Sequence, residues 1–564
     1  MNSRNHTPRR VGRLSAVVAV VLAFALLLTG CGANSQNNAN DGDGGQGGDL
    51  TIFSQSSEMS FDPAKSQSLA ITSMGLVVRR LTTWEVPKDG GPTKVVPDLA
   101  TDTGTPSDDG RTWTFTLKDN LKFQDGSEIT TADIKYGIER SFAPELSGGL
   151  GYHKTLLAGA ENYKGPYSGQ SLDSIETPDA KTIVFKLNAP YGDWPWIASM
   201  PAFGPVQKSM DTDPQKYGEK PSASGPYQVE SYRQGVSMVL SRNPGWDKAT
   251  DPVRSGGPDT VTFALNQNAT VAAQKLIADS GADKNAFGAN FVPPSQLAQV
   301  QGNPSASKRL VTSKSGALAY LAMNTQRPLL KDLKMRQAIE YAVDKNSYRI
   351  ASGGELAGDF ATTLITQGIA GRQDYDLYET DPSGDVEKAK ALLAEAGYSG
   401  ETLKFISRND AQSIAQSEAI QAGLNRAGIK TEIVPLEENA WTDAATGAAG
   451  DYDLTLGSWQ PDFPSANANI QPLYDSREIG NGGYNVSRYS NPAVDAAIKD
   501  ALQAVDPNVA QQKWAEVDRT IAEDAPVVPL IYTKNSFLIG SNVRDFYIGE
   551  FPAYPNYLAV TLAQ

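Results

Sequence analysis

The residues best placed to do chemistry lie in one short stretch, Asp451 to Pro464, reading DYDLTLGSWQPDFP, which carries Trp459, Asp462 and Phe463 in a single loop. A carboxylate beside two aromatic rings suits an organic cation, because the anion supplies charge and the ring faces attract the same cation. A second charged candidate, Arg408, follows the strand-like run Thr402 to Ser407. Its guanidinium offers the forked geometry that a carboxylate accepts at two points. Arg408 and Asp462 both follow apparent strands of one βαβ region, and ligands in such sheets bind outside the carboxyl ends of strands. Opposite charges at one sheet edge suit a zwitterion. Plainer readings use the same residues: Asp462 as a solvated loop carboxylate or cap, Arg408 as a surface arginine near a helix start, Trp459 and Phe463 as core aromatics.

Other reactive constellations are thin. His6 lies in the N-terminal leader, leaving His153 as the one histidine beyond it, with no partner for a triad or a metal site. Ser305 and Lys308 spell S-x-x-K without the motifs that accompany it in penicillin-binding enzymes. Gly42, Gly44 and Gly47 spell G-x-G-x-x-G with no strand before and no helix after, so a dinucleotide reading is set aside. No P-loop is present, and no cofactor or metal is expected. Catalysis by carboxylates alone, as in a glycosidase-like hydrolase, is the enzymatic alternative that sequence leaves open.

The elements that must position these residues begin after residue 31. Arg4, Arg9, Arg10 and Arg13 precede an apolar run from Leu14 to Leu28, shorter than the roughly 20 residues a membrane-spanning helix needs. The run ends in Leu28-Thr29-Gly30-Cys31, which resembles the lipobox of bacterial lipoproteins, so residues 1–31 are expected to be a signal peptide ending at a lipidated Cys31. Cys31 is the chain's single cysteine, and no disulfide can form within one copy. Arg9-Arg10 hints at twin-arginine export without the rest of that motif. Losing four arginines and no acids takes the formal charge from −14 to −18, which argues against nucleic acid as a partner. Residues 32–49, polar and glycine-rich, are expected to be a flexible tether.

From Leu50 onward the periodicity alternates between strand and helix. Trp113, Phe115 and Leu117 alternate with polar residues, and Thr130 with Asp133 opens a helix near Thr131. Strands are expected at Thr182 to Leu187, Tyr227 to Tyr232, Val236 to Ser241 and Thr260 to Leu265. LAYLAMN, from Leu318, reads as a strand covered on both faces. After it come a helix opened by Asp332, a βαβ succession with strands at Thr402 to Ser407, Ile429 to Val434 and Tyr452 to Gly457, and two helices capped by Asn491 and Asp506. In the first of these two, Val494, Ala497, Ile498, Ala501, Leu502 and Val505 are assigned to the core face. A chain of 564 residues exceeds what one core serves, and two or three lobes are expected.

Several stretches, in order, resemble the family 5 extracellular solute-binding proteins, the dipeptide and oligopeptide receptors of ABC importers. They are Val96-Pro97-Asp98-Leu99-Ala100; Leu121 to Gly126; Thr131-Ala132-Asp133-Ile134; Ser224-Gly225-Pro226-Tyr227 with Arg242-Asn243-Pro244; Asn324 to Lys345, with Asp332 and Arg336-Gln337-Ala338; Gly428-Ile429-Lys430; and Ser458 to Phe463. The matches span most of the chain beyond residue 31.

The resemblance implies an α/β, two-lobed periplasmic-binding-protein fold of class II, with an extra subdomain, mixed sheets and a two-segment hinge. Lobe I is expected from residues 50–90, 205–315 and 531–564, the inserted subdomain from 91–204, and lobe II from 316–530. It also implies that Asp462 of the W-x-x-D loop holds a peptide's α-amino group and that Arg408 meets the ligand carboxylate, with Trp459 and Phe463 beside them. The family loop usually continues with Asp-Pro, whereas Ser465-Ala466 follow here, a departure that bears on ligand class. The implied role is a monomeric, lipid-anchored receptor on the extracytoplasmic face of the cell membrane that delivers peptides to an ABC permease. An oligosaccharide, metal chelate or opine is the alternative cargo on the same scaffold.

Overall fold

The computed structural model describes residues 44–65, 73–146, 149–314 and 316–563. The lipobox Cys31, the rest of the leader and most of the expected tether lie outside the described residues. The tether's end does not hang free. Gly44–Gly45 pairs antiparallel with Leu562 and Ala563 of the C-terminal strand, and Gly47 N donates to Gly257 O at 2.8 Å. Glycine composition read as flexibility at this point, but a residue without a side chain also packs closely against a strand.

Three main sheets organise the protein, and two of them are mixed. The five-stranded sheet runs in the order Ala286–Gly288, Asp49–Phe53, Thr260–Ala264, Ser237–Arg242, Tyr227–Arg233, with Asp49–Phe53 parallel to both its neighbours. The six-stranded sheet runs Gly358–Phe360, Val527–Thr533, Leu318–Met323, Leu454–Trp459, Thr402–Arg408, Lys430–Leu436. Within it Thr402–Arg408 is parallel to both Leu454–Trp459 and Lys430–Leu436, the βαβ pairing expected from the sequence. All six residues of Leu318–Met323 are buried, as a central strand covered on two faces requires. The third, four-stranded sheet is antiparallel throughout and comes wholly from residues 105–186. Because Val527–Thr533 runs between Gly358–Phe360 and Leu318–Met323 in the six-stranded sheet, Ile531, Tyr532 and Thr533 belong with that layer.

Among the described residues, two chain segments run between the five-stranded and six-stranded sheets. Leu310–Thr312 pairs with Ser536–Leu538, and just beyond, Ser313 N donates to Asn535 O at 2.9 Å and Thr533 N to Ala317 O at 2.9 Å. The crossing strands are thus bonded to each other on both sides of a short connection. Gly316 sits where any Cβ would lie 2.7 Å from Thr533 O, so the close approach of the two segments requires glycine.

Helix starts follow their caps. The side chains of Asp332, Asp410, Asn491 and Asp506 accept from backbone N–H groups of the first turns that follow them, each worth about 1 kcal/mol. Asp133 accepts from Thr130 N at 2.9 Å, the reciprocal half of the expected capping box. The helix Pro492–Gln503 buries Val494, Ile498 and Ala501. Ala497 faces solvent and Val505, beyond the helix end, is exposed. The apolar stripe there is narrower than composition implied, because an alanine at its edge has no side chain long enough to reach the core.

Candidate functional site

Asn324 fixes the start of the strand that leads to the candidate loop: its Nδ2 donates to Gly450 O at 3.0 Å and Tyr452 O at 2.9 Å. Asp453 accepts from Lys404 N at 2.7 Å and pairs with Arg327 at 2.9 Å, so the strand enters the sheet clamped on two sides. Leu454–Trp459 then runs between Leu318–Met323 and Thr402–Arg408, and the chain leaves the sheet at Gln460.

Beyond that edge Asp462 and Phe463 meet one residue, Tyr152, which lies on the short helix Tyr152–Leu156 in the stretch assigned to the inserted subdomain. The Tyr152 hydroxyl donates to Asp462 Oδ2 at 2.5 Å, and the Phe463 ring packs edge-on against the Tyr152 ring, 5.4 Å between centroids at 87°. Phe463 is fully buried, which contributes about 2 kcal/mol of transfer energy and fixes the loop. Trp459 donates its indole N–H to Ala468 O at 2.7 Å and tilts against the exposed Tyr484, with centroids 5.0 Å apart.

A second carboxylate meets the loop three positions further on, at Ser465. Asp193 Oδ2 accepts from Ser465 Oγ at 2.7 Å, and Asn467 Nδ2 donates to the Tyr191 hydroxyl at 2.8 Å. Among the described residues, no lysine or arginine pairs with Asp462 or Asp193. Burial raises the Asp462 carboxyl above the ordinary aspartate range, opposed by the Tyr152 hydrogen bond. Burial likewise pushes Asp193 up to about 6, against the hydrogen bonds from Ser465 and Asn467. Two carboxylates that meet one loop, each accepting from a hydroxyl, are acceptors that an ammonium group would complete. No group of three His, Cys, Asp or Glu among the described residues is arranged to hold a metal ion.

Arg408 lies elsewhere. It ends the strand Thr402–Arg408 with a partly exposed guanidinium stacked 4.6 Å over the Trp441 ring and 3.9 Å from Glu438. It lines a cleft of about 870 Å³ together with Trp441, Gly457 and Ser458, facing Phe291 and Leu297. Asp462, Trp459 and Phe463 are not on the walls of that cleft. The structure therefore brings Asp462 and Phe463 together and sets Arg408 in a separate chamber, linked to them through Gly457 and Ser458 of one strand. Tyr152, Asp193 and Trp441, none of which stood out in sequence, complete the two chambers.

Residues 94–481 match the bacterial extracellular solute-binding proteins, family 5, middle region. The chain belongs to this family. Among family relatives, the glutathione-binding protein GsiB of Salmonella typhi is 26% identical over 453 residues, covering 79% of this chain and 82% of its own. The probable D,D-dipeptide-binding periplasmic protein DdpA of Escherichia coli K12 is 26% identical over 479 residues, covering 83% and 85%. Among solved structures, the clavulanic acid biosynthesis oligopeptide binding protein 2 superposes with a TM-score of 0.84 at 30% identity, covering 92% of this chain and 96% of that one. The two-lobed architecture of this family 5 protein is the one these binding proteins share. No helix among the described residues is long and apolar enough to cross a membrane.

Proposed function

We propose that this family 5 protein is an extracytoplasmic, lipid-anchored receptor that captures peptides between its lobes and delivers them to an ABC permease. The observation that carries the reading is the Asp462 carboxylate, partly buried against the Tyr152 hydroxyl with no lysine or arginine paired to it among the described residues, three positions past the strand whose Gly457 and Ser458 wall the large cleft. A peptide's α-ammonium group replaces the missing cation, and its backbone runs along Gly457 and Ser458. Its carboxylate reaches Arg408, whose guanidinium lies over the Trp441 ring and is only loosely engaged by Glu438. The names of the relatives, binding proteins for an oligopeptide, a D,D-dipeptide and glutathione, support this cargo over a sugar or a chelate. Lobe closure about the two crossing segments encloses the ligand, a motion established for periplasmic binding proteins. No step of this role needs catalysis.

Titration calorimetry of the chain with a set of defined dipeptides and tetrapeptides tests the reading. Binding of at least one set is expected; binding of a cello- or chito-oligosaccharide and of no peptide overturns it.

A further inference from the structure

Phe291 presents a large apolar ring to the cleft that also holds Arg408 and Lys534. It lies on the loop between the strand Ala286–Gly288 and the helix Pro294–Gly302 and is 44% exposed. The loop is nevertheless rigidly placed. Ala289 N donates to Phe53 O and Val292 N to Ser536 O, each at 2.8 Å, so both flanks of Phe291 are tied to neighbouring strands. The ring rests edge-on against Phe537, centroids 5.4 Å apart at 82°, and lies nearly parallel to Tyr554 at 6.1 Å.

Across the cleft stand Arg408 and Trp441, and Leu297 extends the apolar wall on the Phe291 side. Among the described residues, the one acidic residue on the walls, Asp410, is occupied: its carboxylate accepts from Ser413 N at 2.9 Å and Ser413 Oγ at 2.6 Å. The remaining charges are Arg408 and Lys534. The cleft therefore offers no free carboxylate to a cationic side chain and a preformed aromatic surface to an apolar one. A fixed, half-exposed ring in a concave site is where binding energy concentrates, since its ordering cost has been met by the fold.

We propose that Phe291 is a specificity-determining residue that selects peptides carrying an aromatic or large aliphatic side chain beyond their first residue. The inference rests on the peptide reading of the cleft. Removing an apolar side chain from water against Phe291 is worth about tenfold in affinity over serine at the same place.

The test is calorimetry on the full chain, purified in detergent, with tetraserine and the four tetrapeptides in which one serine is replaced by phenylalanine. The wild type is expected to prefer at least one of the peptides with phenylalanine at positions two to four by about tenfold. Phe291→Ser is expected to reduce that ratio below about threefold, and Phe291→Leu to keep most of it. An unchanged melting temperature shows that the variants fold. A preference retained in Phe291→Ser, or a wild type that ranks all five peptides equally, overturns the assignment of Phe291 while leaving peptide binding standing. A wild type that binds none of the five overturns both.

Discussion

Tyr152 and Asp462, 310 positions apart, share a hydrogen bond in which the phenol donates to the carboxylate Oδ2 at 2.5 Å. The bond joins the stretch assigned to the inserted subdomain to the loop that leaves the six-stranded sheet. It also gives a buried carboxylate its one recorded side-chain donor among the described residues. A carboxylate so placed costs the empty protein stability and repays it when a cation arrives.

Replacing that carboxylate separates binding from folding. Asp462→Asn is expected to weaken peptide affinity by about 3 kcal/mol, roughly 100-fold, because the ligand ammonium loses its desolvated partner. The same variant is expected to melt higher than wild type without ligand at neutral pH. Calorimetry and a thermal melt on one preparation read both, and a variant that binds normally removes Asp462 from the site.

Affinity is expected to fall with acidification at a higher pH than an ordinary aspartate would produce. Burial raises the Asp462 carboxyl, so it takes up a proton earlier on the way down, and the neutral acid no longer attracts an ammonium group. A titration of peptide affinity from pH 7 downward reads this, and Asp462→Asn should flatten the profile.

Glu340 offers a test of folding energetics away from the site. It is buried in the helix Leu333–Ala342, and burial pushes its carboxyl up to about 8, with nearby Lys345 opposing. The folded state thus holds a proton that the unfolded chain releases, so stability falls as pH rises between the unfolded value of 4.5 and about 8. Glu340→Gln is expected to gain on the order of 2 to 3 kcal/mol at pH 7 and nothing below pH 4.5. Urea melts at pH 4, 7 and 8.5 check the sign.

Arg408→Ala is expected to weaken peptides with a free terminal carboxylate by about tenfold and to leave their C-terminal amides unaffected. Equal losses for acid and amide would place the ligand carboxylate elsewhere.

Membrane attachment is expected to depend on Cys31. Cys31→Ser should shift the protein from the membrane fraction to the soluble fraction of lysed cells, and persistent membrane association would point to an uncleaved leader.

Much of the fold was legible because it is written locally. Asp332, Asn491 and Asp506 cap the helices their positions announced, and the apolar run Leu318–Met323 is the buried central strand it resembled. Local signals failed where a distant partner decides. Gly44–Gly45 looks like linker until Leu562 and Ala563 come alongside, and Val505 looks like core until the helix stops at Gln503. The site shows the same division. Asp462 and Phe463 could be picked out by residue type, but Tyr152 reaches Asp462 from 310 positions upstream and Asp193 reaches Ser465 from 272, and no spacing encodes such contacts. Arg408 ends a strand beside the one that leads to Asp462 and still lines another chamber, because strand order fixes neighbours and not where the loop beyond a strand carries its side chains.

The most direct test of the account compares one tetrapeptide with its N-acetylated form by calorimetry, using a sequence that binds. Measurable affinity is expected for the free peptide and a loss of about 100-fold or more on acetylation, since an amide cannot serve as the cation for Asp462. Equal affinity for the two forms would contradict it.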